Sequence, residues 1–447
     1  MITDPNIAFV LAKRGVKGGY VPCGDKSISH RALMLAAINR GTTVIRNLNL
    51  CDDVMSTIEC LRKLTVEVEF DEQSNKCIVC SSGYTAIENL PVILNAGNSG
   101  TTMRLLTGLL SAFRGNYVIT GDSSLCSRPM KRIIDPLTNM GAKIHYREGG
   151  LAPLSINGSK SLAGIRHRMH VASAQVKSAI LLAAIHAYND TIIEEPYMTR
   201  DHTEKMLKAF GVDIATIKKK GLSVIELKEV KELCGDRLLT IPGDFSNSFA
   251  FIALTTLIPN SSLVIKNVGL NESRITAMTV LKEMGANIEY IEYGTYVDTE
   301  PVGEILIKSA NKLQGREIEH MYIPQLIDEI PLLALVATQA EGETRFINCG
   351  ELIHKESNRL EEIKNVLTLM GADVRIKTVN NEVDLIINGR TSLHGCQLYS
   401  EDHRIVIMSI IASLIAHGST KVDRDKCVNI SDPDFFKSLR FLLGGNE

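Results

Sequence analysis

No apolar run in the sequence approaches the ~18 uninterrupted residues of a membrane span, so no spanning helix is expected. The first residues, MITDPNIAFVLAKRG, carry an early Asp and Pro and no long apolar core, and do not read as a signal peptide. Net charge is nearly absent: 49 Lys and Arg against 51 Asp and Glu leave −2. The chain as a whole therefore offers no field for nucleic acid or an acidic membrane surface, and any basic site must be local. The ten cysteines have no framework of spacings. Cys77 and Cys80 form a lone CxxC in the strand-like run KCIVC, where residues three apart face opposite sides, so a zinc or redox centre is not expected there. No His, Cys or carboxylate set has metal-ligand spacing, and neither metal nor cofactor is expected. Free thiols and the lack of a leader suit the cytoplasm. What the chain does have is apolar material, 45% of 447 residues, over a length too great for one ordinary core; two domains are expected.

Internal repeats carry the fold. A phrase of the form Leu-x-x-Met-Gly-Ala-x-Ile recurs as LTNMGAKI from Leu137, LKAFGVDI from Leu207, LKEMGANI from Leu281 and LTLMGADV from Leu367. A worn copy, LRKLTVEV, starts at Leu61 and a terminal one, LRFLLGG, at Leu439. Each reads as a helix end, a glycine stop and a strand. A second phrase keeps the same period, beginning at Ala32, Leu105, Ala179, Ala250, Leu332 and Ile405: an almost wholly apolar helix, a short turn, a strand. A helix apolar all round is a buried helix. The period exceeds that of the usual solenoid repeats, so six units suggest two α/β domains of three units each.

A polar cluster precedes each buried helix: GDKSISHR, GNSGTTMR, ASAQVKS, GDFSNS, QLIDEIP and EDHR. Ser, Asp, Asn and Thr there cap free backbone N–H groups. Capping leaves Lys26, Arg31, Arg104, Lys177 and Arg404 unexplained, because a cation near a helix N-terminus opposes the dipole. An anion between cation and helix end would reconcile them. Parallel buried helices would bring their N-termini to one face, and two such faces opposed would form a cleft suited to phosphates and carboxylates.

These clusters resemble those of the 5-enolpyruvylshikimate-3-phosphate synthases. PCGDKSISHRALMLAA, NAGNSGTTMRLLTGLL, GDSSLCSRPMKRIIDPL, ASAQVKSAILLAA, TRDHTEKML, IPGDFSNSFAFIAL, LIDEIPLLAL, HKESNRL and EDHRIVI stand in the family's order from about Pro22 to Phe436. The resemblance implies an enolpyruvyl transferase-like, inside-out α/β barrel in two domains. Each domain would hold three βαβαββ-type repeats, with chain crossings near Pro22 and Pro242. One domain would be 23–241, the other 1–22 with 242–447, and the active site would lie in the interdomain cleft. It also implies a monomer that works on small molecules, with glyphosate as an inhibitor of the family.

By the same resemblance, Lys26, Ser27, Arg31, Ser173, Ala174, Gln175, Arg200, Asp328 and Lys355 would hold shikimate 3-phosphate. Ala174 would offer only backbone, where many relatives have a second Ser. Lys26, Asn98, Gly100, Arg128, Gln175, Arg359 and Arg404 would hold phosphoenolpyruvate. Arginines suit this work because their planar fork binds carboxylate or phosphate in bidentate fashion. Gly100 would leave room for close approach. The implied chemistry is addition followed by elimination, which needs a base at the substrate hydroxyl and an acid at the methylene carbon. Asp328 would be the base and Glu356 the acid, with Lys26 assisting at the bridging oxygen. Adjacent Glu329 is the competing carboxyl. His403 is placed near the phosphate site; His30 and His202 read as structural.

The sequence departs from the family near its C-terminus, where relatives carry a Lys in a phrase like AKTFPDYF. Here VNISDPDFF puts Ile430 at the Lys and Asp432 at the aromatic, so that Lys426 or Lys437 would have to supply the missing cation. Asn358 replaces a usual Asp and so would lose a charge that orients an Arg. Gly100 and Thr101 resemble the glyphosate-sensitive pattern, whereas Leu105 stands where many sensitive members have Pro. Two rivals remain. A UDP-N-acetylglucosamine enolpyruvyl transferase would need a loop Cys where Ser123 stands, five residues before Arg128. A catalytically dead paralogue would not need the intact Lys26, Asp328 and Glu356.

Overall fold

The computed structural model describes residues 15–71, 76–87, 91–219, 222–297, 299–380 and 382–444. They divide into two compact units. The first holds Gly24–Pro242 with the short segment Thr295–Glu300; the second holds the described residues up to Cys23, Gly243–Gly294 and those from Pro301 onward. The chain thus changes unit at 23/24 and 242/243, and also at the short segment 295–300, which the repeats did not signal.

Six apolar helices form the two cores. In the first unit these are α1 (Lys26–Ile38), α2 (Gly100–Ser111) and α3 (Ala174–Ala184). In the second they are α4 (Phe245–Leu257), α5 (Ile330–Gln339) and α6 (His403–Ile415). Burial follows from composition: every residue from Ile28 to Ile38 is buried, as is every residue from Phe245 to Thr256, because neither helix has a polar stripe to turn outward. Close approach also depends on one glycine. A Cβ on Gly108 in α2 would lie 2.2 Å from the carbonyl oxygen of Ala179 in α3, so only glycine lets these two backbones meet.

The sheets repeat one pattern. A strand before a core helix pairs parallel with the strand after it, and two further strands pair antiparallel. Pro91–Asn95 and Gly115–Thr120 flank α2 and pair parallel, as do Arg166–Arg168 with Thr191–Glu195 around α3 and Glu317–Ile318 with Gly342–Phe346 around α5. Around α6 only the parallel pair, Gln397–Tyr399 with Lys421–Asp423, is present among the described residues. At α1 and α4 the parallel partners are exchanged. Lys17–Tyr20, which precedes α1, pairs with Ser262–Gly269 after α4, while Arg237–Thr240, which precedes α4, pairs with Arg40–Arg46 after α1. Each unit's sheets are therefore completed by a strand from the far side of a chain crossing.

The glycine phrase behaves as its chemistry requires. Gly141, Gly211, Gly285 and Gly371 end helices with φ between +84° and +103°. In the worn copy Thr65 takes the same role at φ +64°, a strained choice for a β-branched residue. All ten cysteines are free; in KCIVC, Cys77 is buried and Cys80 half-buried on the opposite face. Among the described residues no single helix is long and apolar enough to cross a membrane.

Candidate active site

In the first unit, helix N-termini gather cations around polar side chains. Asp25 caps α1 by accepting from the Ile28 N–H at 2.9 Å, and Ser99 caps α2 through the Thr102 N–H at 3.1 Å. The third helix has no side-chain cap: the N–H groups of Ala174, Gln175 and Val176 have no partner among the described residues, which leaves the positive end of a buried helix open beside Ser173 and Gln175. Arg31 is buried, yet neutral groups hold it. Its Nε donates to Thr203 Oγ1 at 2.6 Å, Nη1 to the Ser27 carbonyl at 2.8 Å and Nη2 to Ser178 Oγ at 2.7 Å. Burial pulls its pKa down to about 10, with Glu204 and Asp25 opposing the shift and neighbouring Arg200 adding to it.

Three further groups converge at α2. Arg104 Nη1 donates to Gln175 Oε1 at 2.7 Å, and Gln175 Nε2 to Thr101 Oγ1 at 3.1 Å. Arg128 Nη2 donates to Asn98 Oδ1 at 2.7 Å, and Asn98 is itself fixed by Asp122 at 2.7 Å. A Cβ on Gly100 would lie 2.7 Å from Arg104 Nη1 and 3.4 Å from Arg128 Nη1, so the two guanidinium groups meet over this glycine. Lys26 Nζ is paired with Asp53 at 2.8 Å.

One cation of the sequence argument is explained differently. Lys177 is buried against two carboxylates of the protein itself, Glu204 at 2.7 Å and Glu195 at 3.1 Å. It needs no ligand anion, and capping plus this internal pair account for it. His30 is likewise internal: its Nδ1 lies 2.7 Å from Thr57 Oγ1, and burial pushes its pKa well down.

In the second unit one guanidinium organises the acidic residues. Arg359 Nε donates to Asp402 Oδ2 at 2.8 Å, Nη1 to Asp328 Oδ1 at 3.3 Å, and Nη2 to Glu356. Desolvation opposes its charge, but Asp402, Glu356 and Asp328 outweigh that and push its pKa upward. Asp328 and Glu356 thus sit on neighbouring nitrogens of one side chain, and both keep an accessible edge, 18% and 25% of their side chains. Glu329 does not: it is 1% exposed, accepts from Ser246 and lies 3.6 Å from Arg274. Burial therefore separates the two adjacent carboxyls that the sequence left in competition.

Two cations in this unit lack carboxylate partners. The Arg404 guanidinium, on a residue 6% exposed, meets no hydrogen-bond or ion-pair partner among the described residues, although its backbone N–H donates to the cap Asp402 at 2.9 Å. Lys355 makes no hydrogen bond or ion pair among them either. Desolvation lowers its pKa to about 8, opposed by the fields of Asp328 and Glu356 and reinforced by that of Arg359. Isolated cations in partly dry surroundings are expensive for a folded protein, and an anionic ligand would offset that cost.

Arg274 was not found from the sequence. It is buried in Asn271-Glu272-Ser273-Arg274 and spans Asp244 at 3.8 Å, Asp328 at 3.6 Å and Glu329 at 3.6 Å. It stands two residues before the helix Thr276–Glu283 rather than at a core helix, so the repeating clusters gave no signal for it. Asn358 caps its helix by accepting from the Glu361 N–H at 3.3 Å, and Arg359 takes its orientation from Asp402 instead. Near the C-terminus Ile430 is half-buried, Lys426 and Lys437 are both exposed, and Asp432 is buried beside Cys23, 3.8 Å from its Sγ.

Comparison with known proteins gives this geometry its setting. The family model for EPSP synthase (3-phosphoshikimate 1-carboxyvinyltransferase) matches residues 12–439. A 3-phosphoshikimate 1-carboxyvinyltransferase of Thermoanaerobacter sp. (strain X514) is 43% identical over 97% of this chain and 99% of that protein. One from Bacillus cytotoxicus is 42% identical over 98% of this chain and 100% of its own. The solved EPSP synthase of Acinetobacter baumannii superposes with a TM-score of 0.80 at 36% identity, covering 96% of each chain. The enolpyruvyl transferase NikO of Streptomyces tendae, 19% identical with a TM-score of 0.76 over 96% of this chain and 95% of that one, shares the fold. A match over nearly the whole length, with each of the nine motifs present, means that the chain belongs to the EPSP synthase family, the 3-phosphoshikimate 1-carboxyvinyltransferases, and is a transferase.

Proposed function

We propose that this enzyme transfers the enolpyruvyl group of phosphoenolpyruvate to the 5-hydroxyl of shikimate 3-phosphate and releases phosphate. The observation that carries the reading is the pair Asp328 and Glu356 on adjacent nitrogens of Arg359, with Lys355 next to Glu356 and Arg404 two residues after Asp402, the third partner of Arg359; neither cation has a hydrogen-bond or ion-pair partner among the described residues. Two carboxyls and spare positive charge are what an addition–elimination on two anionic substrates requires.

Asp328 takes the proton from the 5-hydroxyl as that oxygen bonds to the central carbon of phosphoenolpyruvate. Glu356 delivers a proton to the methylene carbon, which becomes a methyl group in a tetrahedral intermediate. Glu356 then removes a proton from that methyl, the double bond re-forms, and the carbon–oxygen bond to phosphate breaks. Lys26 protonates or pairs with the leaving phosphate oxygen. Arg31, Arg200, Ser27, the open N-terminus at Ser173–Gln175 and Lys355 hold shikimate 3-phosphate. Arg128, Arg404, Asn98, Gly100, Gln175 and Arg359 hold phosphoenolpyruvate. Arg359 already serves three carboxylates, and its Nη1 retains a second hydrogen to offer.

We read the units as the two three-repeat halves of an inside-out α/β barrel, acting as a cytoplasmic monomer. Phosphate release with both substrates present tests the reading. Turnover that depends on shikimate 3-phosphate is expected; turnover only with UDP-N-acetylglucosamine, or tight binding without turnover, overturns it.

A further inference from the structure

The segment Thr295–Glu300 belongs to the first unit, although it joins two strands of a second-unit sheet, Asn287–Tyr296 and Glu300–Lys308, and includes the end of one and the start of the other. Its placement there is built. Val297 is buried in the first unit's hydrophobic core at φ +52°, Thr299 Oγ1 donates to the Lys205 carbonyl at 3.1 Å, and the Glu300 carboxylate is buried 2.8 Å from His202 Nδ1. Both members of that last pair are 2% exposed at the side chain. A buried carboxylate against a buried imidazole is a costly arrangement to keep unless it fixes something.

What it fixes is the first turn of the helix His202–Ala209. Its three opening residues each hold a different partner. His202 takes Glu300, Thr203 receives Arg31 Nε at 2.6 Å and meets Ser178 at 2.6 Å, and Glu204 pairs with Lys177 at 2.7 Å. Arg200 lies two residues ahead. The field of Glu300 also helps keep Arg31 charged, against the desolvation that lowers its pKa.

We infer that Glu300 is a positioning residue for the shikimate 3-phosphate half-site. It pins His202, so that Thr203 aims Arg31 while Arg200 enters the helix in register. The inference rests on the enolpyruvyl-transfer reading and assigns to Glu300 a role that the repeats and motifs do not reach. It touches no substrate; it acts through His202 and the turn.

The test is steady-state kinetics of Glu300→Ala and Glu300→Gln by phosphate release, varying each substrate in turn. Losing one charge-assisted hydrogen bond should raise KM for shikimate 3-phosphate about tenfold in the Ala variant. The KM for phosphoenolpyruvate and kcat should stay within about twofold, and Gln, which keeps size and a hydrogen bond, should restore most of the loss. An unchanged KM for shikimate 3-phosphate, or an equal rise in both KM values, overturns the assignment. If Glu300→Ala does not fold, Glu300→Leu, which keeps the volume but not the hydrogen bond, must show the same selective rise in KM and the same loss in calorimetric binding of shikimate 3-phosphate alone. Wild type that turns over while both variants match it sinks only the positioning role. Wild type that neither turns over nor binds shikimate 3-phosphate sinks the transfer reading as well.

Discussion

Lys355 should give the enzyme an alkaline limit set by one proton. Its ammonium is desolvated, makes no hydrogen bond or ion pair among the described residues, and has its pKa lowered from 10.5 to about 8. If it holds an oxygen of shikimate 3-phosphate, kcat/KM for that substrate should be flat below pH ~8. Above that it should fall towards tenfold per pH unit, to a floor set by the loss of one charged hydrogen bond. Such a bond contributes about 1.5–3 kcal/mol, so the floor lies roughly ten- to a hundredfold down. The limit belongs to free enzyme: a bound phosphate favours the charged ammonium, so kcat should break at higher pH or not at all. Phosphate release between about pH 6.5 and 10, at saturating phosphoenolpyruvate, reads both profiles. Lys355→Arg should move the break out of range, because guanidinium stays charged. A wild-type profile without a break between about 7.5 and 9, or the same break in the Arg variant, refutes the reasoning. Stability should move the other way. Between about 8 and 10.5 the unfolded chain holds more protons on this lysine than the folded one, so this group makes stability rise with pH through that window.

Four further outcomes follow from the same contacts. Arg404→Ala should raise KM for phosphoenolpyruvate about 30-fold or more with little change in melting temperature, because no carboxylate is left behind; Arg359→Ala strands three carboxylates and should cost about 3–5 kcal/mol in urea unfolding. Asp432 has its pKa raised to about 7 by burial and by neighbouring Asp244. Its folded value exceeds its unfolded one, so stability should fall as pH rises from about 4 to 7, and Asp432→Asn should gain up to about 4 kcal/mol at pH 8 but little at pH 4, as compared by urea melts. Gly108→Ala drives a methyl into the Ala179 carbonyl and should lose about 3 kcal/mol, read by the same melts, without a selective change in either KM.

The sequence by itself determined the units of this fold. Leu-x-x-Met-Gly-Ala spells a helix stop whose glycine needs positive φ, and six apolar stretches have no polar face to show solvent; both are local facts, legible one segment at a time. It also determined which residue types stand at the helix N-termini, and hence most of the candidate site. Tertiary structure alone decided which charges are spent. Lys177 and Arg404 look alike in sequence, each a cation at the start of a buried helix. Glu195 and Glu204 neutralise Lys177 from distant segments, whereas no carboxylate reaches the Arg404 guanidinium among the described residues. Asp328 and Glu329 are neighbours in the chain, and only packing buries one and leaves the other an open edge. The exchange of strands between α1 and α4, the bridging by Arg274, and the grip of Glu300 on His202 each join residues tens to hundreds apart. Such pairings depend on how the chain closes in three dimensions, and no periodicity or motif encodes them.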